Sequence, residues 1–113
     1  MKRFIPFVKS GPSVSVLRLQ GVIAAQGRGA ALNDAGLAGL MQKAFAKGKP
    51  DAVALAINSP GGSPTQSSLI AARIRRLADE KKVKVYAFVE DVAASGGYYI
   101  ASAADEIYVD RHS

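Results

Sequence analysis

Ser95 lies in a short run of small residues between a strand-like and a helix-like segment, which is where an α/β enzyme would carry a nucleophile. The run extends from Val92 to Tyr99 and places Gly96 and Gly97 directly after the serine. A hydroxyl at a helix N-terminus is surrounded by unpaired backbone N–H groups that favour developing negative charge. A glycine has no Cβ, so a substrate carbonyl can approach the backbone closely. The alternative is an N-cap, and Ser-Gly-Gly taken alone favours that structural role.

A second glycine-bearing turn strengthens the catalytic interpretation. The apolar run Ala52–Ile57 is followed at once by a turn that contains Gly61 and Gly62. If both strands belong to one parallel sheet, both turns emerge at its carboxyl edge, where open α/β sheets build their sites. The N–H groups of Gly61 or Gly62, together with that of Gly96, would then hold an oxyanion facing Ser95. A Pro-Gly sequence alone indicates only a tight turn, whereas the pair of turns favours catalysis.

Strand-like and helix-like segments alternate along the whole chain, which is typical of an α/β fold with right-handed crossovers. The predicted strands are Val14–Gln20, read as largely buried, then Ala52–Ile57, Val83–Val89 and Glu106–Val109. The predicted helices run from Asn33 or Asp34 to about Lys47, from about Thr65 to Glu80, and for a short distance after Ser95. Helical spacing predicts a core that includes Leu37, Leu40, Met41, Ala44, Leu69, Ile70, Ile74 and Leu77.

Length and composition indicate one domain. The 113 residues are 49% hydrophobic, which allows a packed core, and they include no cysteine, which excludes disulfides and thiolate ligands. Residues 1–13 read as an irregular arm because of Pro6 and Pro12, and residues 14–113 as the domain. No apolar run approaches the ~20 residues that span a bilayer, and Lys2 and Arg3 are not followed by a signal-peptide core. We therefore expect a cytoplasmic protein.

The formal net charge of +6 makes nucleic acid a rival partner. The basic cluster follows a helix with an apolar stripe, so its arginines are expected on the remaining faces as solvated charges, and no aromatic residues are interleaved with them. We expect no nucleic-acid binding, with an anionic membrane surface as an intermediate alternative. No pair of acidic residues has a spacing that suggests a metal, and no cofactor is expected.

Several motifs resemble the signal peptide peptidase A family of serine peptidases, which includes proteins of the SppA and SohB type. They are Asn58–Gly62, Asp91–Ala101, Ala104–Tyr108 and Leu19–Ile23, so the resemblance extends from about Val14 to the C-terminus. It implies a layered fold like that of the Clp protease subunit and crotonase, with a mainly parallel sheet. It also implies that Ser95 is the nucleophile and that Gly61, Gly62 and Gly96 surround the oxyanion. The implied partners are an extended peptide or protein substrate and further copies of the chain.

The family pairs its serine with a neutral lysine as general base, and no lysine follows Ser95 here. Lys81, Lys82 and Lys84 lie at the amino-terminal end of the Val83–Val89 strand, away from its carboxyl end, and Lys43, Lys47 and Lys49 close the first long helix. All six are therefore interpreted as solvated charges. His112 is the single histidine and lies too near the chain end to be held in place. We expect residues 14–113 to be the N-terminal portion of a serine peptidase domain whose lysine lies beyond Ser113. Such a segment would be inactive alone.

Two other classes of protein fit the same residues. One is a non-catalytic peptide-binding or assembly module that keeps the fold without the base. The other is an acyl-CoA enzyme of the crotonase type, which the serine in Ala-Ser-Gly-Gly disfavours. Tyr98 and Tyr99 are expected to pack their helix against the sheet rather than to line a substrate groove.

Overall fold

A computed structural model describes residues 13–25, 31–90 and 95–110. Every predicted element is present, and the predicted ends differ from the observed ones by no more than a residue. The strands are β1 (Val14–Gln20), β2 (Ala52–Asn58), β3 (Lys84–Val89) and β4 (Glu106–Val109). The helices are α1 (Asp34–Ala46), α2 (Pro64–Lys81) and α3 (Ser95–Ala101). Most of the predicted arm, the segments 26–30 and 91–94, and His112 lie outside the described residues.

Local capping explains where the two long helices begin. Asn33 caps α1, and its side-chain oxygen accepts a hydrogen bond of 2.7 Å from the Gly36 N–H. Ser63 caps α2 in the same way, accepting from the Gln66 N–H at 3.1 Å, and Pro64 follows as the first helical residue. Both helices therefore start immediately after a short polar side chain.

The four strands form one parallel sheet in the order β1-β2-β3-β4. Each strand is joined to its neighbour through a helix, as a parallel pairing requires. The α/β class is thus confirmed, and the parallel sheet agrees with a Clp protease or crotonase-like fold. Right-handedness of the crossovers stays a prediction.

The hydrophobic core lies between one face of the sheet and the three helices. Helix α2 contacts both other helices, α1 packs on β1 and β2, and α3 packs on β2 and β3. The sheet buries Leu17, Leu19, Val53, Leu55, Ile57, Val85, Ala87 and Val89 on this side. The helices contribute Leu37, Met41, Ala44, Phe45, Ile70, Ile74, Leu77, Ala78, Ile100 and Ala101. Alternation along each strand sends the remaining side chains to the other face.

That other face is not covered by any described element, and we call it the open face. Its side chains are Val14, Val16, Arg18, Ala52, Ala54, Ala56, Lys84, Tyr86, Phe88, Glu106 and Tyr108. Val16 is 57% exposed, Phe88 46% and Tyr108 48%. The expectation that β1 is largely buried is wrong, because only its side chains on the helix-covered face, Leu17 and Leu19, are buried.

Leu40 and Leu69 were also expected in the core, and both are about half exposed. Each lies one residue before a buried position, Met41 and Ile70 respectively, and so on the flank of its helix's apolar stripe. The apolar stripes are therefore narrower than the sequence spacing suggested.

Two arginines of α2 are held in ion pairs, which corrects the expectation that they are solvated charges. Arg73 binds Asp34 of α1 through two parallel hydrogen bonds of 2.6 and 2.9 Å. This hydrogen bonding lowers the pKa of the Asp34 carboxyl from its ordinary value. Arg75 contacts Asp79 at 2.9 Å and Asp105 at 3.3 Å, and it donates to a backbone carbonyl. These pairs link α2 to α1 and to the segment before β4.

Candidate functional site

The turns that follow β2 and β3 meet at the carboxyl edge of the sheet. A Cβ built on Gly96 would lie 3.0 Å from the Gly61 Cα, and one on Gly61 would lie 3.6 Å from the Gly96 nitrogen. A side chain at Gly96 would be too close to the Gly61 Cα, whereas at Gly61 the contact would be an ordinary one and the φ of +99° is what favours glycine. The structure therefore brings together two of the three glycines that sequence reasoning placed around an oxyanion, directly beside Ser95.

The first of these turns is fixed by the segment that follows β1. The Ile23 N–H donates to the Gly61 carbonyl at 2.9 Å, and the Ser63 N–H donates to the Ile23 carbonyl at 2.7 Å. Gly62, at φ +142°, sits between these bonds, and a Cβ there would lie 2.0 Å from the Ile23 oxygen. A glycine is required at this position by both the backbone angle and the contact.

The N–H groups of the three glycines are not equivalent. The Gly61 N–H donates to the buried Ser59 Oγ at 3.1 Å. The Gly62 N–H donates to no other group in the part of the chain that the structure describes. Gly96 is the second residue of α3, where an N–H lacks an acceptor within the helix. Among the described residues, the N–H groups of Gly62 and Gly96 therefore have no hydrogen-bond acceptor.

Ser59 was not singled out from the sequence. A serine hydroxyl that accepts from the N–H two residues later is a common turn device, and the Ser-Pro-Gly order could have indicated it. The Ser59 carbonyl and Cβ also lie 3.5 and 3.7 Å from the Cβ position of Gly97. Ser59 therefore touches both turns.

Ser95 is the first residue of α3, at the carboxyl edge of the sheet. The helix is anchored by the buried side chains of Ile100 and Ala101. Gly97 lies against the sheet, where its Cβ position is 3.3 Å from an Ile57 methyl group. This close contact between Gly97 and β2 fixes the position of the α3 N-terminus relative to the turn after β2.

A groove with a volume of about 860 Å³ runs beside these glycines between α2 and α3. Its mainly apolar wall includes Gly62, Pro64, Ser67, Gly96, Tyr98 and Tyr99. The expectation that both tyrosines pack against the sheet is wrong, since each is nearly half exposed and lines this groove. The positions of α3 that face the sheet are taken by Gly97, Ile100 and Ala101 instead.

All six lysines that the structure describes are exposed and lie at the opposite, amino-terminal end of the sheet. Lys43, Lys47 and Lys49 lie near the end of α1 and in the connection to β2. Lys81 is the last residue of α2, Lys82 follows it, and Lys84 is the first residue of β3. None can reach Ser95 across the sheet. Within the described residues, no group of three or more side chains that could bind a metal comes together.

Residues 77–113, which contain Ser95 and Gly96 but not Gly61 or Gly62, match the family model of Peptidase family S49. Residues 77–113 are therefore similar to a segment of this peptidase family. The match confirms the resemblance to signal peptide peptidase A that the motifs indicated, although it covers only the C-terminal third of the chain.

Curated relatives extend the similarity over more of the sequence. The chain is 51% identical, along its whole length, to the Na(+)/H(+) antiporter NhaA of Brucella melitensis, of which it spans 16%. It is 44% identical over 56% of its length to the chloroplastic serine protease SPPA of Arabidopsis thaliana, spanning 9% of that protein. It is 38% identical over 68% of its length to Protease 4 of Haemophilus influenzae, spanning 12%.

The chain thus spans less than a fifth of each of these relatives. The family and the two protease names support a peptidase, and the antiporter name belongs to a protein of which this chain matches a small part. Among the described residues, no helix combines the length and hydrophobicity that crossing a membrane requires.

Proposed function

We propose that this peptidase-family segment supplies the nucleophile and the oxyanion-binding amides of a serine endopeptidase. In this reaction Ser95 Oγ bonds to a peptide carbonyl carbon as its proton passes to a general base. The C–N bond then breaks, the amine leaves with that proton, and water hydrolyses the acyl-enzyme. The resulting carboxylic acid leaves Ser95 free for another cycle.

The observation that carries the proposal is the contact between Gly61 and Gly96. It places the residue after the candidate nucleophile against the turn of the neighbouring strand, as an oxyanion site built from two loops requires. Tight turns that served only to reverse the chain would not need to touch each other through their backbones.

The hydrogen bonding of the turns favours Gly62 and Gly96 as the donors to the oxyanion. Both line the groove, and the Gly61 N–H is already engaged by Ser59 Oγ. Gly61 then contributes a left-handed φ of +99°, which favours glycine, while its amide holds the shape of the turn. Removing one donor of such a pair typically costs about 100- to 1,000-fold in kcat.

The apolar groove favours a substrate that presents an apolar side chain next to the bond to be cleaved. Tyr98 and Tyr99 offer amphipathic surfaces, whose rings contact such a side chain while their hydroxyls stay in water. An extended peptide leaves its alternate side chains free to enter such a groove. We therefore propose peptides or proteins in extended conformation as the substrates.

The general base in this proposal is a neutral lysine from outside residues 1–113, in further chain or in another subunit of a homo-oligomer. It follows that the 113-residue chain alone does not hydrolyse peptides. The test is hydrolysis of a peptide library by a protein that contains this segment together with its lysine. Loss of turnover in the Ser95→Ala variant would identify Ser95 as the nucleophile.

A serine far from the carboxyl edge provides the matched control. Ser15 of β1 lies near the amino end of the sheet, so Ser15→Ala should retain full turnover. Turnover that survives Ser95→Ala would overturn the role of Ser95. Turnover by the isolated chain that Ser95→Ala abolishes would support the nucleophile and refute the external base.

The second candidate is a non-catalytic peptide-binding module, favoured by the position of every described lysine at the far end of the sheet. In that case an extended peptide with apolar side chains binds the groove without turnover in any longer form of the protein. Tyr98→Ala would weaken this binding, while Ser95→Ala would not.

A further inference from the structure

The turn that carries the candidate oxyanion donor Gly62 depends on outside contacts for its shape. It contains two consecutive glycines, Gly61 and Gly62, both with a positive φ. Glycine restricts the backbone less than any other residue, so such a turn does not keep one conformation through its own preferences. An amide that stabilises a developing oxyanion must be in place before the reaction begins. The surrounding structure must therefore supply the constraint.

Part of the constraint comes from a short parallel ladder at the carboxyl edge of the sheet. Ile23 forms isolated β-bridges with Gly62 on one side and with Leu32 on the other. On the side of the turn, its N–H and carbonyl bind the Gly61 carbonyl and the Ser63 N–H. Successive peptide groups of an extended segment point in opposite directions, so the N–H of Gly62 itself points away from Ile23. The ladder thus determines which way this amide faces.

The other side of the ladder is joined to the start of α1. The Leu32 N–H donates to the Val22 carbonyl at 2.6 Å, and the Leu32 carbonyl accepts from the Ala24 N–H at 2.9 Å. Leu32 is buried and directly precedes Asn33, the N-cap of α1. A shift of the α1 start would therefore move Leu32, and with it the loop that holds the glycine turn.

Gln66 of α2 joins the two ends of this ladder. Its side-chain oxygen accepts a hydrogen bond of 2.8 Å from the N–H of Asp34, the first residue of α1. Its own backbone N–H donates to Ser63 Oγ at 3.1 Å, one residue after Gly62. These contacts close a circuit that we call the contact ring, whose members in order are Gly62, Ile23, Leu32, Asp34, Gln66 and Ser63.

We propose that Gln66 is a positioning residue, which holds the Gly62 amide in place by closing the contact ring. Gln66 does not line the groove, so it acts through the turn and not on a ligand. The Asp34 N–H belongs to the first turn of α1 and has no acceptor within the helix, so the Gln66 oxygen also satisfies this donor. The inference rests on the proposed function, because it assigns Gln66 a role in catalysis through the oxyanion donor.

Amide hydrogen exchange of the 113-residue chain, measured by NMR, tests the contact ring directly. Gln66→Met keeps the length of the side chain and removes the acceptor, so the amides of Ile23, Leu32 and Ser63 should exchange at least roughly tenfold faster. Gln66→Glu keeps an acceptor oxygen at the same reach and should restore the wild-type rates. Rates are taken relative to the amide of Leu55 in the buried centre of β2, which corrects for changes in global stability.

Arg73→Met is the matched control for this experiment. Arg73 lies two turns further along α2 and binds the Asp34 carboxylate, outside the contact ring. Its loss weakens the link between α1 and α2 but should leave the relative exchange rates of the three amides at their wild-type values. Unchanged rates in Gln66→Met, or an equal increase in Arg73→Met, would overturn the proposal.

Steady-state hydrolysis by a protein that contains this segment together with its lysine tests the consequence for catalysis. A displaced oxyanion donor affects the transition state, so Gln66→Met should lower kcat roughly tenfold and leave KM unchanged. Gln66→Glu should recover kcat, and Arg73→Met should alter neither constant.

Ser95→Ala, assayed alongside, separates the two proposals. A wild-type kcat in Gln66→Met, with turnover lost in Ser95→Ala, would overturn the role of Gln66 and leave the proposed peptidase intact. Turnover that survives Ser95→Ala would refute the proposed function, and the exchange experiment alone would then decide whether Gln66 holds the turn.

Discussion

The two ends of the sheet contain glycine for different reasons. At the carboxyl end, two backbones approach each other at Gly61 and Gly96, and Gly62 sits directly on a carbonyl of the neighbouring loop. At the amino end, Gly48 also has a positive φ, of 73°, but a Cβ there would meet nothing within 4 Å. The comparison shows that conformational freedom alone explains a glycine at one end, whereas close packing requires one at the other.

The largest effect that we expect comes from Gly62→Ala. Its Cβ would lie 2.0 Å from the Ile23 oxygen at a φ of +142°, so the turn or the loop after β1 must move. The free energy of unfolding should fall by more than about 3 kcal/mol, a large share of the stability of a small domain. Urea unfolding measures this loss.

Gly48→Ala is the counterpart at the amino end. It should cost only about 1–2 kcal/mol, because a left-handed φ is its one difficulty. Equal losses in the two variants would mean that the close approach at the carboxyl end does not constrain the turn.

The next effect concerns the hydrogen bond that holds the first turn. Ser59→Ala leaves the Gly61 N–H without its acceptor, which should cost about 1–3 kcal/mol. Amide hydrogen exchange measured by NMR should show Gly61 protected in wild type and exposed in the variant.

Ser67→Ala removes a second buried hydroxyl close to Gly96, one that donates to the Ser63 carbonyl at 2.9 Å. This control should leave the Gly61 exchange rate unchanged. Rapid exchange of the Gly61 amide in wild type would contradict the assignment of that amide to Ser59.

The Asp34–Arg73 pair links the first residue of α1 to the middle of α2, and it should affect the stability at acid pH. Its hydrogen bonds lower the Asp34 pKa in the folded state from the ordinary value of 3.8. As pH falls, the Asp34 carboxyl is therefore protonated in the unfolded chain before it is protonated in the folded one. The stabilisation is therefore complete at higher pH and is lost as pH falls through the lowered pKa.

Asp34→Asn should cost about 1 kcal/mol at neutral pH and should flatten this part of the stability–pH profile. Asp79→Asn removes a more exposed carboxylate from an i,i+4 pair, and should cost less than about 0.5 kcal/mol. Urea unfolding from pH 2 to 7 measures both stability–pH profiles. Identical profiles for the two variants would mean that the Asp34–Arg73 contact stabilises the fold no more than an exposed ion pair does.

The smallest effect belongs to the amino end. Lys82 ends α2 with a φ of 57° and a ψ of 50°, a left-handed conformation that glycine adopts without steric cost. Lys82→Gly should therefore increase the free energy of unfolding by about 0.5 kcal/mol and raise the melting temperature slightly. Lys81→Gly, one residue earlier and inside the helix, should lower stability by up to about 1 kcal/mol. A loss in both variants would contradict the interpretation of Lys82.

Much of this architecture could be predicted because local signals agreed with the fold. Apolar runs bounded by glycine and proline located the strands, and parallel pairing then implied that the turns at Gly61 and Gly96 would meet. Capping by Asn33 and Ser63 follows from side chains that prefer helix starts.

The features that could not be predicted depend on tertiary contacts. Val16 reads as buried in the sequence, and only the lack of a covering layer exposes it. Arg73 finds its carboxylate on another helix, far away in sequence. Tyr98 and Tyr99 were misplaced because the rotation of a helix of only about two turns depends on where Gly97 meets the sheet.

The strand order also has a consequence for how the molecule is made. Each strand pairs with the strand that precedes it in the chain, so every partner is already present when a new strand leaves the ribosome. The sheet can grow from β1 towards β4 without any later segment having to enter between strands that have already paired. Synthesis and folding can therefore advance in the same direction, one strand and one helix at a time.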